Sequence, residues 1–340
     1  MKNSGWRGFL LLLVIAAVIL PHMLSPFLLR LAILILFWAY LGQCWNVLSG
    51  YAGQFSFGHA AYFGLGAYTS TLLLVNHGLN PWVGMFAGGT VALLGGLFIG
   101  FLCFRYKVRG VYFALATLAF AEILRLIAIN TAFVRKSMGI QIPLRGGDSW
   151  LRFQFETTNI PYYYIILAMV IGSIIVVHLI QRDKLGYYFK AIHQNEEAAG
   201  ALGINLLRYK MVAMAISCFM TGMGGTFYAQ YFFFIDPDLV FGPEVSIEML
   251  LRPILGGVGV VWGPLVGAMV LTPLSEVTRA LIRNPPAFMP FLFLLKGRSG
   301  VDIMLYGIIV IIVIIFMQHG LVGMIRAKRR KWARERHGTQ

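Results

Sequence analysis

Long apolar stretches separated by short polar turns run through the chain. A helix needs about 20 predominantly apolar residues to cross the hydrocarbon core of a bilayer. Ten stretches approach that length: 8–25, 27–48, 54–76, 82–104, 111–131, 160–181, 209–233, 242–259, 262–282 and 301–325. The third and eighth are the least regular. The pattern predicts an all-α integral membrane protein, a polytopic helical bundle of about ten transmembrane segments, some of them discontinuous. One transmembrane domain covers 1–325 and a basic tail covers 326–340. Three connections are long enough to carry structure of their own: 132–159, 182–208 and 283–300.

Composition agrees with the pattern. Hydrophobic residues make up 59% of the 340 residues and charged ones 12%, against about a quarter charged in a soluble domain. Lys2 and Arg7 precede the apolar run Phe9–Leu20, as in a signal peptide. No small-x-small cleavage site follows, and Pro21 leads into more apolar sequence, so a retained first helix is the preferred reading.

Charge then orients the bundle. With the N-terminus in the cytoplasm and ten crossings, 17 of the 28 Lys and Arg residues fall inside and 7 outside; Arg30, Arg125, Arg252 and Arg279 lie in or beside spans. That bias predicts an N-in, C-in topology. Seven of the inner cations crowd the last fifteen residues, where cytoplasmic retention beside anionic lipid explains them better than nucleic acid. Cys44, Cys103 and Cys218 lie in apolar stretches without a C-x-x-C and read as small buried hydrophobes.

The connection 182–208 is the sharpest feature. Residues 194–202 are good helix material, with Glu196 and Glu197 at the start, where the helix dipole favours acids, and Gly203 at the stop. Ala198, Ala199 and Ala201 make a small, smooth surface. Such a helix suits docking into a groove on another protein; a solvated loop helix fits the same residues.

Glu197-Ala198-Ala199 with Gly203 resembles the E-A-A-x-x-x-G signature of ABC importer permeases. The stretches Gly50–Tyr68, Gly110–Glu122 and Leu255–Ala268, with Ala191–Lys210, are similar to the permeases of branched-chain amino acid importers, specifically the M-type of the pair. The resemblance spans most of 40–325. His193-Gln194 and Gln318-His319-Gly320-Leu321 depart from the family pattern, which expects Arg-acid and Pro-Arg-Gly-Leu there. The resemblance implies a multi-pass subunit of the bacterial inner membrane that translocates branched-chain amino acids or a related small solute such as urea or an amide. Its implied partners are a second permease, two peripheral ATP-binding subunits and an external solute-binding protein. The 182–208 loop would carry the coupling helix, with Glu196, Glu197, Ala198, Ala199 and Gly203 as ATPase-coupling residues. ATP would be used by the partners, since this chain has no G-x-x-x-x-G-K-[ST] loop and no cofactor signature.

The remaining polar residues divide between pathway and packing. Gln54, Ser56 and His59 fall among the five glycines of Gly50–Tyr68, and polar groups at membrane depth face protein or a water-filled cavity. They join Glu122, Glu248 and Arg252 as translocation-pathway candidates. Glu122 and Arg125 are three apart; Glu244, Glu248 and Arg252 are successively four apart; Glu276 and Arg279 are three apart. An unpaired charge at the bilayer centre costs about 3 kcal/mol or more, so structural ion pairs are the competing reading. Gly259, Gly263 and Gly267 form a small-residue face suited to close helix packing, a theme repeated by Gly84/Gly88 and Gly96/Gly100. Gly256–Gly267 also faintly echoes Ser49–Tyr68. No metal site is expected, and a self-contained ion-driven transporter or a membrane enzyme is a poorer fit to these residues.

Overall fold

A computed structural model describes residues 18–144 and 146–283, with 304 and 307. All of the expected tenth span but 304 and 307, the 284–300 part of the loop 283–300, the basic tail and most of the first span lie outside the described residues. A helical stretch over 18–23 is fastened where the Tyr164 hydroxyl donates to the Val18 carbonyl at 2.9 Å.

Five long helices form the frame. They are α1 (Pro26–Trp45), α2 (His59–His77), α3 (Pro81–Arg105), α4 (Gly110–Asn130) and α5 (Ile160–Arg182). Two short helices, α6 (Lys184–Gln194) and α7 (Glu196–Ala201), lead into the long α8 (Leu206–Phe232). The chain continues through the short α9 (Pro237–Phe241), α10 (Pro243–Gly256) and α11 (Gly263–Arg283). Strand β1 (Ile140–Gln141) pairs antiparallel with β2 (Phe234–Ile235). Among the described residues, five helices are long and apolar enough to cross a membrane: α1 with the turn that follows it, α3, α4, α5 and α8. The chain is therefore a helical membrane protein with several spans.

Helix starts follow local chemistry. Pro occupies the first turn of α1, α3 and α5, where its missing N–H costs nothing. Asn80 caps α3 by accepting from the Trp82 amide at 2.9 Å. The core of the bundle is built on close backbone approach between α2, α3 and α8. A Cβ on Gly66 would sit 2.1 Å from the Gly222 carbonyl oxygen, and one on Gly96 would meet the Cys218 sulfur at 2.3 Å. Gly84 and Gly88 likewise lie against Ser70 and Gly66. Small residues let helices approach where no hydrophobic force drives association.

Two expected spans take a different form. The third begins only at His59: Asn46–Tyr51 is a π-turn extending α1, and 52–58 is non-helical. The eighth, 242–259, is helical only over α10, with α9 just before it and a non-helical turn after it. With 14 residues α10 is roughly 21 Å long, short of the ~30 Å hydrocarbon core. Asp236 caps α9 by accepting from the Leu239 amide at 2.8 Å, and Phe241 stacks on Tyr68 of α2 at 5.6 Å, so the chain turns back into the bundle beside α2 and α4.

Candidate functional site

The connection between α5 and α8 folds as two helices rather than one loop helix. In α6, Phe189 and Ile192 are buried while Tyr187 is exposed, and Tyr188 packs on Tyr209 at 4.4 Å. Asn195 breaks the chain and restarts it: its side-chain oxygen accepts from the Glu197 and Ala198 amides, both at 3.0 Å, which caps α7. The helix ends at Leu202, and Gly203 takes φ +85°, a left-handed stop that favours glycine.

The cap phases α7 so that its two adjacent acids face opposite ways. Glu197 is 83% exposed in its side chain; Glu196 is 17% exposed. Ala198, Ala201, Leu202 and Gly203 are exposed with Glu197, whereas Ala199 is buried with Glu196. The Glu196 carboxylate meets three elements. Lys210 Nζ of α8 donates to Oε1 at 2.6 Å, and Gln54 Nε2 of the 52–58 segment donates to the same oxygen at 2.8 Å. Arg109 Nε, at the start of α4, lies 3.1 Å from Oε2, an ion pair without hydrogen-bond alignment. Arg109 also donates to Glu197 at 3.1 Å. Burial pushes the Glu196 carboxyl up, but the Lys210 and Gln54 hydrogen bonds and the two cations outweigh it and hold the group below its ordinary value. Lys210 is itself buried, with its ammonium 5.3 Å from the Phe104 ring centre.

The other polar positions lie deeper. Ser56 is buried: its hydroxyl accepts from the Gly58 amide at 3.2 Å and its carbonyl accepts from Trp45 Nε1 at 2.8 Å. His59 is buried, with Nε2 at 2.9 Å from the Ser217 hydroxyl, which donates to the Cys44 carbonyl at 2.7 Å. Glu122 pairs with Arg125 at 2.5 Å and stays 42% exposed; Arg125 reaches on to Asp238 of α9. Glu248 pairs with Arg252 and is 24% exposed, while Arg252 is buried over the Trp38 ring at 4.3 Å. The structure thus brings Gln54 to α7, pairs Glu248 with Arg252, and leaves Ser56, His59 and Glu122 in separate contacts.

Gly259, Gly263 and Gly267 lie at and beyond the break between α10 and α11. A Cβ on Gly267 would sit 1.9 Å from the Arg252 carbonyl oxygen and one on Gly263 2.1 Å from that of Gly257. A Cβ on Gly259, which has φ +69°, would sit 3.0 Å from the Gly50 carbonyl oxygen. The three cysteines are free and buried, and no cluster of His, Cys, Asp or Glu able to hold a metal occurs among the described residues. A cavity of about 980 Å³ between α3, α5 and α8 is lined by apolar groups such as Met85, Met169, Phe219 and Met223, and none of the six polar pathway positions borders it.

Sequence reasoning missed Lys210, Arg109 and Asn46 as partners of these positions. A lysine four residues inside an apolar helix was the available signal for the first.

The chain resembles known proteins over most of its length. A family model described as the branched-chain amino acid transport system / permease component matches residues 27–322. The high-affinity branched-chain amino acid transport system permease protein LivM of Escherichia coli is 30% identical, covering 88% of this chain and 73% of LivM. LivM of Salmonella typhimurium is 28% identical over 98% of this chain and 78% of its own length. LivH of Salmonella typhimurium, another permease protein of a branched-chain amino acid transport system, is 20% identical over 67% and 77%. No solved structure matches the chain. A family match covering nearly all of the described bundle, with a two-faced α7 at one end of it, places this chain in the family of permease components of branched-chain amino acid transport systems.

Proposed function

We propose that this chain is one of two related permease subunits of an ABC importer in the bacterial inner membrane, that it translocates branched-chain amino acids, and that α7 is its contact with an ATP-binding subunit. The observation that carries the coupling assignment is the division of α7. One face is fixed to the bundle through Glu196 and Ala199; on the other, Glu197, Ala198, Ala201, Leu202 and Gly203 are exposed, with Arg109 reaching Glu197 from the side. A helix bound on one side and exposed on the other, between two long apolar helices, has the form of a docking element. With both termini in the cytoplasm, as the charge bias of the sequence expects, α7 would lie on the ATP side. The remaining partners are a second permease and an external solute-binding protein, and ATP is bound by the partners. The substrate class rests on the names of LivM and LivH; urea or another small solute is the alternative.

Within the pathway, Glu122 and Glu248 are the positions that keep exposed carboxylate surface. Gln54, Ser56, His59 and Arg252 stand behind the lining as its support, and Gly259, Gly263 and Gly267 serve this subunit's own packing.

The test uses the whole complex, co-expressed and reconstituted. Glu197→Arg with Gly203→Val is expected to insert normally yet lose substrate-stimulated ATP hydrolysis and uptake of leucine, isoleucine and valine. Normal uptake by this double variant rejects the coupling assignment. Uptake of another solute in preference to these three rejects the substrate assignment alone.

A further inference from the structure

Two breaks interrupt the helical ladders of the bundle. The first is the π-turn Asn46–Tyr51 with the non-helical 52–58; the second is the turn between α10 and α11. They meet through one buried side chain. Asn46 Nδ2 donates to the Val260 carbonyl at 3.2 Å, and its Oδ1 accepts from the Gly259 amide at 2.8 Å. Gly50 leaves no gap at the crossing, since a Cβ there would lie 2.8 Å from the Gly259 nitrogen. The side chain of the first residue of the π-turn thus satisfies two backbone groups of the second break, and displacement of either break must carry the other or leave that backbone unpaired.

The first break is also tied to α7. Gln54 Nε2 donates to Glu196 Oε1 at 2.8 Å and to the Ala52 carbonyl at 3.2 Å. The Gln54 amide donates to the Leu48 carbonyl at 3.1 Å, and its carbonyl accepts from the Ser49 hydroxyl at 3.0 Å. Gly53, at φ +72°, lies directly under His193, the end of α6. Hydrogen bonds tie α7 to Gln54 and Gln54 to Leu48 and Ser49 of the π-turn, whose backbone leads to Asn46 and so to the second break.

We propose that Glu196, Gln54 and Asn46 form the line that carries displacement of α7 to both breaks of the membrane domain, which then move as one gate. The proposal rests on the coupling reading of α7. Glu196 has other anchors: Lys210 belongs to the long α8, and Arg109 is the extended residue that precedes α4. Gln54 is the anchor whose segment, 52–58, leads straight into the π-turn. Gln54 and Asn46 are positioning residues in this scheme: they act through backbone, without touching substrate. Energetic coupling of this kind changes a linked equilibrium by about 5–150-fold.

The experiment measures substrate transported per ATP hydrolysed, with copurification of the ATP-binding subunits, in the full reconstituted complex. Gln54→Leu removes the link and leaves the Glu196–Lys210 pair. It is expected to retain copurification and lower the transport-to-hydrolysis ratio at least about fivefold, the lower end of that range. Glu196→Gln combined with Gln54→Leu is expected to lower the ratio no further than the stronger single variant, because both interrupt one line. Asn46→Leu is expected to match Gln54→Leu; should it fail to assemble, the Gln54 variant decides. An unchanged ratio in Gln54→Leu with full copurification overturns the transmission line. In that case loss of stimulated hydrolysis in Glu197→Arg still upholds the coupling reading, whereas retention of both transport and hydrolysis in Glu197→Arg sinks that reading as well.

Discussion

At one end of α5 the α6–α7 segment is held by the Glu196 carboxylate, shared among Lys210, Gln54 and Arg109. At the other end residues 132–159 are held by the Phe153 ring, which stacks on Trp82 at 4.7 Å and packs beside Tyr162 and Phe227. Both anchors are fully or largely buried. The aromatic one holds by area and shape, reinforced by Trp82 Nε1 donating to the Trp150 carbonyl at 2.7 Å. The ionic one holds by direction and charge, so a shift of α7 is felt at once by three different elements. The contrast separates a segment held by packed area from one held by charge and direction shared among three elements.

The largest expected break in this comparison is Glu196→Ala. Lys210, with 5% of its side chain exposed, would lose its counter-charge. Removing one partner of a buried pair costs about 3–5 kcal/mol. Proteolysis is expected at 195–205, with a lowered melting temperature in detergent, while 132–159 stays protected. Acid should act in the same way. The native Glu196 carboxyl lies below its ordinary value, so its contribution is complete above the usual carboxylate range and is lost as pH falls through the depressed value. The groups facing it are Lys210, Arg109 and Gln54, with Arg105 and Lys107 across a small shared cavity. Amide exchange in 196–201, corrected for intrinsic rate, is expected to rise on acidification in the parent and to be pH-insensitive in Glu196→Gln. Asp148 is also held low, by the Thr157 and Glu156 amides, so Asp148→Asn is the control that removes the acid response of the opposite end.

The converse break is Phe153→Ala, which empties the aromatic anchor. Buried Phe-to-Ala changes cost about 3–5 kcal/mol. Loss of protection should be confined to 132–159, with no pH dependence added. Protection lost at α7 instead would show that the two ends are not independent.

The sequence made some of this visible for a plain physical reason. Continuous apolar runs have one reading, so 82–104, 111–131, 160–181 and 209–233 match α3, α4, α5 and α8 to within a few residues. The stretches that failed were those where local chemistry competes with hydropathy. Gly242 and Pro243 start α10 and Gly257 ends it, so only 14 residues of the eighth run are helical. α6 stayed hidden because its eleven residues alternate cations with aromatics, a pattern that exposed loops share. The inward face of Glu196 was not legible at all. Glu196 and Glu197 are the same residue type one step apart, and what separates them is the phase set by the Asn195 cap and the arrival of Lys210 from the next helix. The faint likeness of Ser49–Tyr68 to Gly256–Gly267 carried one spatial hint, since Gly50 and Gly259 do touch.

A smaller effect sharpens the role of that phase. Asn195→Ala removes the two amide contacts that start α7, and loss of such a cap costs about 1 kcal/mol. The helix should remain, since Glu196 still pins its first residue, but its outward face should fray. Weaker binding of the ATP-binding subunits with little change in melting temperature is the expected result.

The smallest effect concerns the arm between Arg109 and Glu197, at 3.1 Å. With 40% and 83% of the two side chains exposed, the pair lies mostly in water. Exposed pairs of this kind are worth about 0–1 kcal/mol and weaken as salt screens them. Glu197→Gln in the isolated subunit is therefore expected to leave the melting temperature unchanged at both low and high salt, while Glu196→Gln lowers it at both. If α7 is the docking face, the same Glu197 variant should weaken association with the ATP-binding subunits, most clearly at low salt. The carboxylate that contributes least to this chain's own fold would then be the one that matters most to its partner, and a stability loss in Glu197→Gln as large as that in Glu196→Gln would erase the distinction between the two faces of α7.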